Sequence, residues 1–154
     1  MIEIKFPDNS IRTFETGTTV LEVAQSISEG LARNVLSAQF NEQTVEIATP
    51  LIKDGKIQLF TWNNEQGKTA FWHSSAHLFA QIILELYPNS KLTIGPPIEN
   101  GFYYDIDLGE GTLKEEDLKK IEDKAIELAR QKNPYLRKEV SKSEAIKYFQ
   151  DKGD

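Results

Sequence analysis

Two histidines four residues apart constrain this chain more than any other feature. His73 and His77 are the only histidines among the 154 residues, and they lie in the apolar segment HSSAHLFAQIILEL. If this segment is an α-helix, positions i and i+4 lie on one face, about 40° apart around the axis. Ala76 and Ala80 add little bulk beside that face. The pattern therefore predicts that both imidazoles face one cavity.

The stretch after this helix is rich in glycine and proline. Residues 95–97 read Gly-Pro-Pro, and Asn100-Gly101 follows before the aromatic run Phe102-Tyr103-Tyr104. We predict a hairpin with strands at residues 91–94 and 101–106. Because proline donates no backbone hydrogen bond, pairing is expected to stop at residues 96–97.

Composition narrows the class of protein. Apolar residues make up 39% and charged residues 27% of the chain, enough for a packed core. The absence of cysteine excludes disulfides and thiolate metal ligands. The sequence has neither a long apolar run nor a signal-peptide pattern, which predicts no membrane span and a cytoplasmic location. The net charge of −6 argues against strong non-specific nucleic-acid binding.

Residues 1–62 are predicted to form a first domain, a small sheet crossed by one helix. Alternating apolar positions predict strands near residues 1–6 and 11–14, and further short strands are predicted at 35–40, 44–47 and 56–60. Thr19 and Glu22 form a capping box that opens the helix, and Gly30 is a candidate for its left-handed stop. The order of these elements is that of a β-grasp module.

This first domain resembles the TGS domain, a ubiquitin-like module found in threonyl-tRNA synthetases, some GTPases and stringent-response enzymes. The resemblance is carried by the segments DNSIRTF, TTVLEVAQSI and DGKIQLF. It implies an accessory, non-catalytic role for residues 1–62.

Residues 63–154 are predicted to form a second domain, so that the whole chain is of the α+β class. The polar stretch 63–67 is the predicted linker, followed by a buried helix over residues 70–86 that Thr69 caps. A second capping box, Thr112 with Glu115, predicts an amphipathic helix whose apolar face carries Leu118, Ile121, Ala125 and Leu128. Alternation predicts a strand at 135–140, and Ser141 with Glu144 caps a last helix that ends near Gly153.

The second domain resembles the editing domain of bacterial threonyl-tRNA synthetases. The resemblance rests on HSSAH and on KLTIGPPIENGFYYD, in the order and spacing of that family, behind a TGS module. It implies post-transfer editing, the hydrolysis of serine from mischarged tRNA(Thr). His73 and His77 would be the catalytic residues, while Tyr104, Gly95 and Pro96 would contact the seryl group and the terminal adenosine.

The chain also departs from the family pattern. The editing site of the family includes a C-x-x-x-H element and a lysine further along, and this sequence has no cysteine and no third histidine. The resemblance therefore implies an N-terminal fragment, truncated within its editing domain, that cannot aminoacylate and edits weakly or not at all. It implies no cofactor here, with ATP, Mg²⁺ and zinc confined to a missing aminoacylation domain. The acceptor end of tRNA(Thr) is the expected partner, and the full-length enzyme is expected to be a homodimer.

Two other functions fit the same residues. His73 and His77 have good spacing for zinc ligands, and a metal-dependent hydrolase would need a third ligand, which Glu99, Asp105 or Asp107 could supply. The other alternative is a non-catalytic module that binds RNA or a protein partner.

Overall fold

The computed structural model describes residues 1–109, 111–135 and 138–152, and its fold belongs to the α+β class that the sequence predicts. A five-stranded sheet with two short helices comes first. A long helix then leads into a β-ribbon and two further helices. Apolar side chains form one core on the sheet and another on the long helix.

The sheet has the mixed topology of a β-grasp module. Its strands are β1 (Ile2–Lys5), β2 (Ile11–Phe14), β3 (Val35–Phe40), β4 (Gln43–Val45) and β5 (Gly55–Thr61). They lie in the order β2-β1-β5-β3-β4, with β1 parallel to β5 and the other pairs antiparallel. The predicted strands are present, with boundaries shifted by one or two residues.

Helix α1 (Val20–Ile27) lies against this sheet and begins at the predicted capping box. The backbone N–H of Thr19 donates to the Glu22 carboxylate at 2.7 Å, and the backbone N–H of Glu22 donates to the Thr19 hydroxyl at 3.2 Å. Val20 and Val23 are fully buried in the first core. The local signal for the helix start is thus confirmed.

The predicted stop of this helix at Gly30 is wrong. The chain leaves the helix at Ser28, whose hydroxyl accepts the backbone N–H of Leu31 at 3.0 Å. That hydrogen bond opens helix α2 (Glu29–Asn34), and Gly30 lies in its first turn. The break between α1 and α2 is therefore made by Ser28, which caps the new helix, and not by a glycine in the left-handed conformation.

The long helix α3 (Glu65–Leu86) begins five residues before its predicted start, so the cap at Thr69 is wrong and much of the predicted linker is helical. Asn64 precedes it, and its side-chain oxygen accepts the backbone N–H of Thr61 at 2.8 Å. Gly67 is buried against Thr61, where a Cβ would collide with the carbonyl group. This glycine allows close packing between the helix and the end of β5; it does not break the helix.

The second core lies between α3 and helix α4 (Glu115–Gln131). Ile82 and Ile83 from α3 meet Ile121 and Leu128 from α4 there. The predicted apolar face of α4 is wrong at Leu118, which is 57% exposed.

The prediction of α3 as a buried spine holds only in part: in its C-terminal half Ile82 and Ile83 are buried, but Leu84 is 47% exposed. In the N-terminal half, Ala76 and Gly67 are buried, but Phe71 is 40% exposed and the histidines are exposed. That half of the helix therefore presents one face to solvent.

The start of α4 also differs from the prediction, because Thr112 and Glu115 do not cap it. Lys114 precedes the helix, and the Asp117 carboxylate accepts the backbone N–H of Lys114 at 3.0 Å and a hydrogen bond from the Lys120 ammonium at 3.0 Å. The Lys114 hydrogen bond, followed by those from Lys120 and the Tyr87 hydroxyl, lowers the Asp117 pKa to about 2.

The C-terminal part retains one of its two predicted elements. The capping box of Ser141 and Glu144 opens helix α5 (Lys142–Asp151), as predicted, whereas Gly153 lies outside the described residues. The strand predicted at 135–140 is wrong at residues 135 and 138–140, and residues 136 and 137 lie outside the described residues. Residues 135 and 138–140 pair with none of the described strands. Among the described residues, no helix has the length and apolar character needed to cross a membrane.

The Asp117 cap predicts a specific loss of stability in acid. Because folding lowers the pKa of this carboxyl from its ordinary value of 3.8 to about 2, its contribution is complete above about pH 4 and disappears as the pH falls through 2. We expect Asp117→Asn to lower the thermal midpoint at pH 7 and the gap from wild type to shrink between pH 4 and 2. Circular dichroism melts over this range measure it.

Asp123→Asn, an exposed position on the same helix, is the matched control and should leave the midpoint at pH 7 near that of wild type. A gap between Asp117→Asn and wild type that stays constant from pH 7 to pH 2 would contradict the prediction.

Candidate functional site

The two histidines lie on one face of α3, as their spacing predicts. Their Nε2 atoms are 2.9 Å apart, and the ring centroids are 4.6 Å apart with the planes at 75°. Both residues are exposed, and the Ala76 side chain between them is buried. The helix therefore holds two imidazole edges together at the surface of the protein.

The distance between the two nitrogens restricts the charge of the pair. One Nε2 must carry a proton and donate, and the other must accept, so the doubly protonated pair cannot form this bond. Partial burial of the ring, and next the charge of His73, lower the pKa of His77 below its ordinary value of 6.5. Both causes favour the neutral form of the His77 ring.

A β-ribbon packs beside this helix. Strand β6 (Lys91–Leu92) pairs with β9 (Ile106–Asp107), and β7 (Pro97–Ile98) pairs with β8 (Gly101–Phe102) around a tight turn at residues 99–100. The predicted hairpin is thus confirmed. The expected end of pairing at residues 96–97 is wrong for Pro97, which lies opposite Phe102. Proline is tolerated in an antiparallel pair where its nitrogen faces away from the partner strand.

A cleft of about 450 Å³ opens between α3 and this ribbon. Its walls contain all five residues that the sequence nominates for the site. They also contain four that it does not nominate: Ala76, Thr93, Ile94 and Pro97. The volume lies in the usual range for small-molecule sites, about 300–1,000 Å³. The structure therefore brings the candidate residues together, while their roles stay predictions.

Tyr104 gives Gly95 a role that sequence reasoning missed. A Cβ on Gly95 would overlap the Tyr104 ring, which packs over the Gly95 backbone and lies 6.1 Å from the Phe79 ring. Gly95 was predicted to leave room for a ligand. In the structure it first leaves room for Tyr104, a half-buried wall of the cleft.

Tyr135 is a second residue that sequence reasoning missed. Its hydroxyl donates to the Ser74 carbonyl at 2.9 Å, and its ring centroid lies 6.5 Å from that of His77. The contact joins positions 61 residues apart, so no local pattern signals it.

A larger cleft of about 1,120 Å³ lies beside Tyr135 and the histidines. It is bounded by the N-terminal half of α3, by β3 and β4, and by residues 133–135. The hydroxyl of Ser37 in this wall is buried and makes no hydrogen bond with the described residues. The histidine pair thus borders two clefts.

The residues proposed as a third metal ligand do not reach the histidines. Glu99, Asp105 and Asp107 are absent from the lining of the histidine cleft, and no group of three or more histidine, cysteine or carboxylate side chains converges among the described residues. The described residues therefore do not provide the three protein ligands of a catalytic zinc site.

Comparison with known proteins identifies the relatives of this chain. Residues 2–61 match the TGS domain family. A threonine–tRNA ligase of Flavobacterium psychrophilum is 52% identical over 98% of this chain and 23% of its own length. Those of Cytophaga hutchinsonii and Flavobacterium johnsoniae are 52% and 53% identical over 100% and 98% of this chain. Almost the whole chain is therefore similar to a part of these threonine–tRNA ligases, and residues 2–61 form its TGS domain.

The chain spans about a quarter of the length of these ligases, 23% and 24% in two of them. The alignment to the threonine–tRNA ligases includes both the TGS domain and the helix with the histidine pair, because it covers 98% or more of the chain.

The contact between the histidines predicts their titration. We expect the His77 ring to titrate below pH 6.5, since burial and the His73 charge both disfavour its protonated form. In His73→Ala the second cause is absent, and the midpoint of His77 should rise toward 6.5. Two-dimensional NMR of the imidazole resonances between pH 4 and 8 measures both midpoints. A wild-type His77 midpoint at or above 6.5 would contradict the expected lowering of the His77 pKa.

The packing of Tyr104 on Gly95 predicts a second outcome. Gly95→Ala places a methyl group inside the Tyr104 ring position and should destabilise the protein by about 1–3 kcal/mol, the usual cost of overpacking. Gly30→Ala is the control: it lies in a helix, where its Cβ would make only an ordinary van der Waals contact with Ser28 Oγ at 3.9 Å, and it should stabilise by about 0.4–1 kcal/mol. Urea unfolding measures both, and equal effects of the two substitutions would refute the packing role of Gly95.

Proposed function

We propose that residues 63–154 belong to an editing module that removes serine from mischarged tRNA(Thr). One observation carries the proposal: a hydrogen-bonded histidine pair borders a cleft of about 450 Å³ in a chain homologous to threonine–tRNA ligases along its length. The TGS module, residues 1–62, takes no part in the chemistry.

The need for such a site follows from the chemistry of the two amino acids. Serine differs from threonine by one methyl group, and one methyl in a binding pocket is worth only about 1–3 kcal/mol of discrimination. A ligase that selects threonine therefore charges serine at a rate that translation cannot tolerate. Hydrolysis of the wrong ester at a second site corrects the error.

In the proposed reaction, water adds to the ester carbonyl carbon, and the bond to the ribose oxygen breaks. The products are free serine and the 3′-terminal hydroxyl of the tRNA. We assign His73 and His77 to position this water and the ribose hydroxyl. A neutral imidazole can take a proton from the water and return it to the leaving oxygen, as a general base and then a general acid.

The low pKa of His77 suits the first of these steps. A ring that is neutral at pH 7 has its lone pair available for water as soon as substrate displaces the hydrogen bond to His73. The price is a weaker base, because basicity falls with pKa. We therefore expect activity to fall when His77 becomes protonated, below pH 6.5.

The opposite wall of the cleft would hold the substrate. Tyr104 presents a phenol ring, and Gly95 and Pro96 present backbone groups, on the side facing the histidines. We assign Tyr104 to the seryl group and the backbone of residues 95–96 to the terminal adenosine. A net charge of −6 fits recognition of the tRNA acceptor end in a cleft better than strong binding to many phosphates.

Other parts of the relatives would complete the enzyme. We assign aminoacylation, with its ATP, Mg²⁺ and zinc, to the regions of the threonine–tRNA ligases that this chain does not match, and the homodimer contacts likewise. The cysteine-histidine element of the editing family is not supplied by these 154 residues, which contain no cysteine. We therefore expect slow hydrolysis by this chain alone and test the site by binding.

The test uses adenosine that carries serine at its 3′ position through an amide, which the site cannot hydrolyse. We expect it to bind in the cleft, to shift the NMR signals of both histidines, and to lose about tenfold in affinity in His77→Ala, the loss of roughly one hydrogen bond. Gln81→Ala, at an exposed position one turn further along α3, is the matched control and should bind as wild type does.

Two results would overturn the proposal. One is binding of the analogue with equal affinity by wild type and His77→Ala. The other is binding of tRNA with a steep salt dependence that neither histidine affects, which would favour the non-catalytic RNA-binding alternative.

A further inference from the structure

The contact between the two imidazoles depends on the rotamers of both histidines, and Tyr135 is placed to hold one of them. We propose that Tyr135 is a positioning residue: it packs against the His77 ring from the side of the larger cleft and holds that ring in the rotamer that meets His73. The structural part of this inference stands on the contacts of Tyr135 alone, whereas its functional part rests on the proposed editing function.

Two contacts of Tyr135 converge on the turn of α3 that carries the histidines. Its ring centroid lies 6.5 Å from that of His77, with the planes tilted by 57°, a separation within the range of about 4.5–7 Å for packed aromatic pairs. Its hydroxyl donates to the carbonyl oxygen of Ser74, three residues before His77, at 2.9 Å. The hydroxyl thus fixes one end of a ring that also packs against the imidazole.

The hydrogen bond to Ser74 is compatible with the helix. A carbonyl oxygen has two lone pairs, so that of Ser74 can accept the phenol in addition to a helical N–H. Burial raises the pKa of the Tyr135 hydroxyl above its ordinary value of 10.0, so the hydroxyl stays protonated and able to donate. The residue as a whole is 59% exposed, and we attribute the burial to the hydroxyl end, which lies against α3.

The end of α4 brings Tyr135 to this position. Lys132 has a φ of 53°, the left-handed conformation in which many helices end. Asn133 precedes Pro134, and a residue before proline is restricted to extended conformations. Leu128 anchors the last turns of α4 in the second core. The packing of α4 on α3 and this restricted turn therefore determine where Tyr135 meets the histidine face.

Tyr135 contacts the pair from outside the proposed substrate site. It lines the larger cleft together with both histidines, and it is not among the residues that line the cleft of about 450 Å³. Tyr104, which we assign to the seryl group, lines the smaller cleft. The two tyrosines therefore border His77 from different clefts. Partial burial is also the first cause of the lowered pKa of His77, as expected for a ring that Tyr135 covers on one side.

A fixed ring matters for the proposed reaction because a positioned group reacts and binds better than one that samples several orientations. Tyr135→Ala leaves both imidazoles and the lining of the smaller cleft unchanged. We therefore expect it to weaken binding of the seryl-adenosine amide, but by less than the tenfold loss expected for His77→Ala.

The experiment is NMR of wild type, Tyr135→Phe and Tyr135→Ala at pH 7.5 with isotope-labelled histidine. Three-bond couplings across the Cα–Cβ bond of His77 report its χ1 rotamer. We expect a single staggered rotamer in wild type and averaging between rotamers in Tyr135→Ala. Tyr135→Phe keeps the ring and loses the donor, so its couplings should lie between the two. Circular dichroism checks that each variant is folded.

Tyr148→Ala is the matched control. Tyr148 is 55% exposed on α5, and its ring packs against Phe149 of the same helix, so this variant should keep the wild-type couplings of His77. Wild-type couplings in Tyr135→Ala would overturn the positioning role, as would equal averaging in Tyr148→Ala. Wild-type couplings in Tyr135→Phe would overturn the part played by the hydroxyl.

The same samples are then titrated with the seryl-adenosine amide. If wild type does not bind it, the proposed editing function fails while the rotamer result for Tyr135 stands. If wild type binds it and Tyr135→Ala binds it equally well despite averaged couplings, the functional part of the inference is overturned and the editing function is not.

Discussion

The bond between the two imidazoles is the contact on which the cleft depends. The two Nε2 atoms, 2.9 Å apart, form a hydrogen bond only while one of them carries a proton and the other accepts it. The protonation state of the pair therefore determines whether this contact is present. The helix keeps the two Cβ atoms on one face, and the side-chain rotamers of the two histidines bring their Nε2 atoms together. The ribbon then supplies the opposite wall. One face of α3 and the residues between the strands of the ribbon, 93–96 and 104, therefore define the chemistry available here.

Local signals in the sequence predicted much of this arrangement. The capping boxes at Thr19 and Ser141 are present because their hydrogen bonds join residues three positions apart. The shared face of the two histidines was predictable for the same reason, since it follows from the helical repeat, whereas the hydrogen bond between their rings also depends on their rotamers. The hairpin beside it was predictable from its turn residues. In each case the interaction and its sequence signal lie within one element.

The errors arose where a distant residue decides the outcome. Gly67 reads as a helix breaker and instead lets α3 approach Thr61 at the end of β5. Residues 135–140 alternate as a strand does, but Tyr135 packs on α3, 61 positions away from Ser74. Leu118 fits an apolar stripe and is exposed, because the core shared with α3 includes Ile121, Ala125 and Leu128 but not Leu118. The periodicity of a helix or strand does not show which surface of the protein will pack against it.

The predictions for the site residues were likewise right about single residues and incomplete about the contacts between them. The sequence nominated Gly95 and Tyr104 separately, each for a contact with a ligand, and their mutual packing is the part that only coordinates supply. Because of this packing, a loss of function in a Gly95 variant would have two explanations: the new side chain displaces Tyr104, or it blocks the ligand. A substitution of Tyr104 itself, which leaves the glycine backbone in place, is the cleaner probe of substrate contact.

Water, a proton and a metal ion would all use the same lone pairs in this cleft. The partial burial that lowers the pKa of His77 favours the neutral ring, and the neutral ring is the form that both a hydrolytic water and a metal ion require. Acid would therefore oppose both at once. Between water and metal the choice depends on the third partner: the described residues add no further ligand for an ion, whereas the opposite wall adds Tyr104 and the backbone of residues 95–96 for a substrate. A substrate in the cleft would therefore contact both the histidines and the opposite wall, whereas a metal ion would have only the two histidines as protein ligands. For this physical reason we place hydrolysis ahead of metal binding.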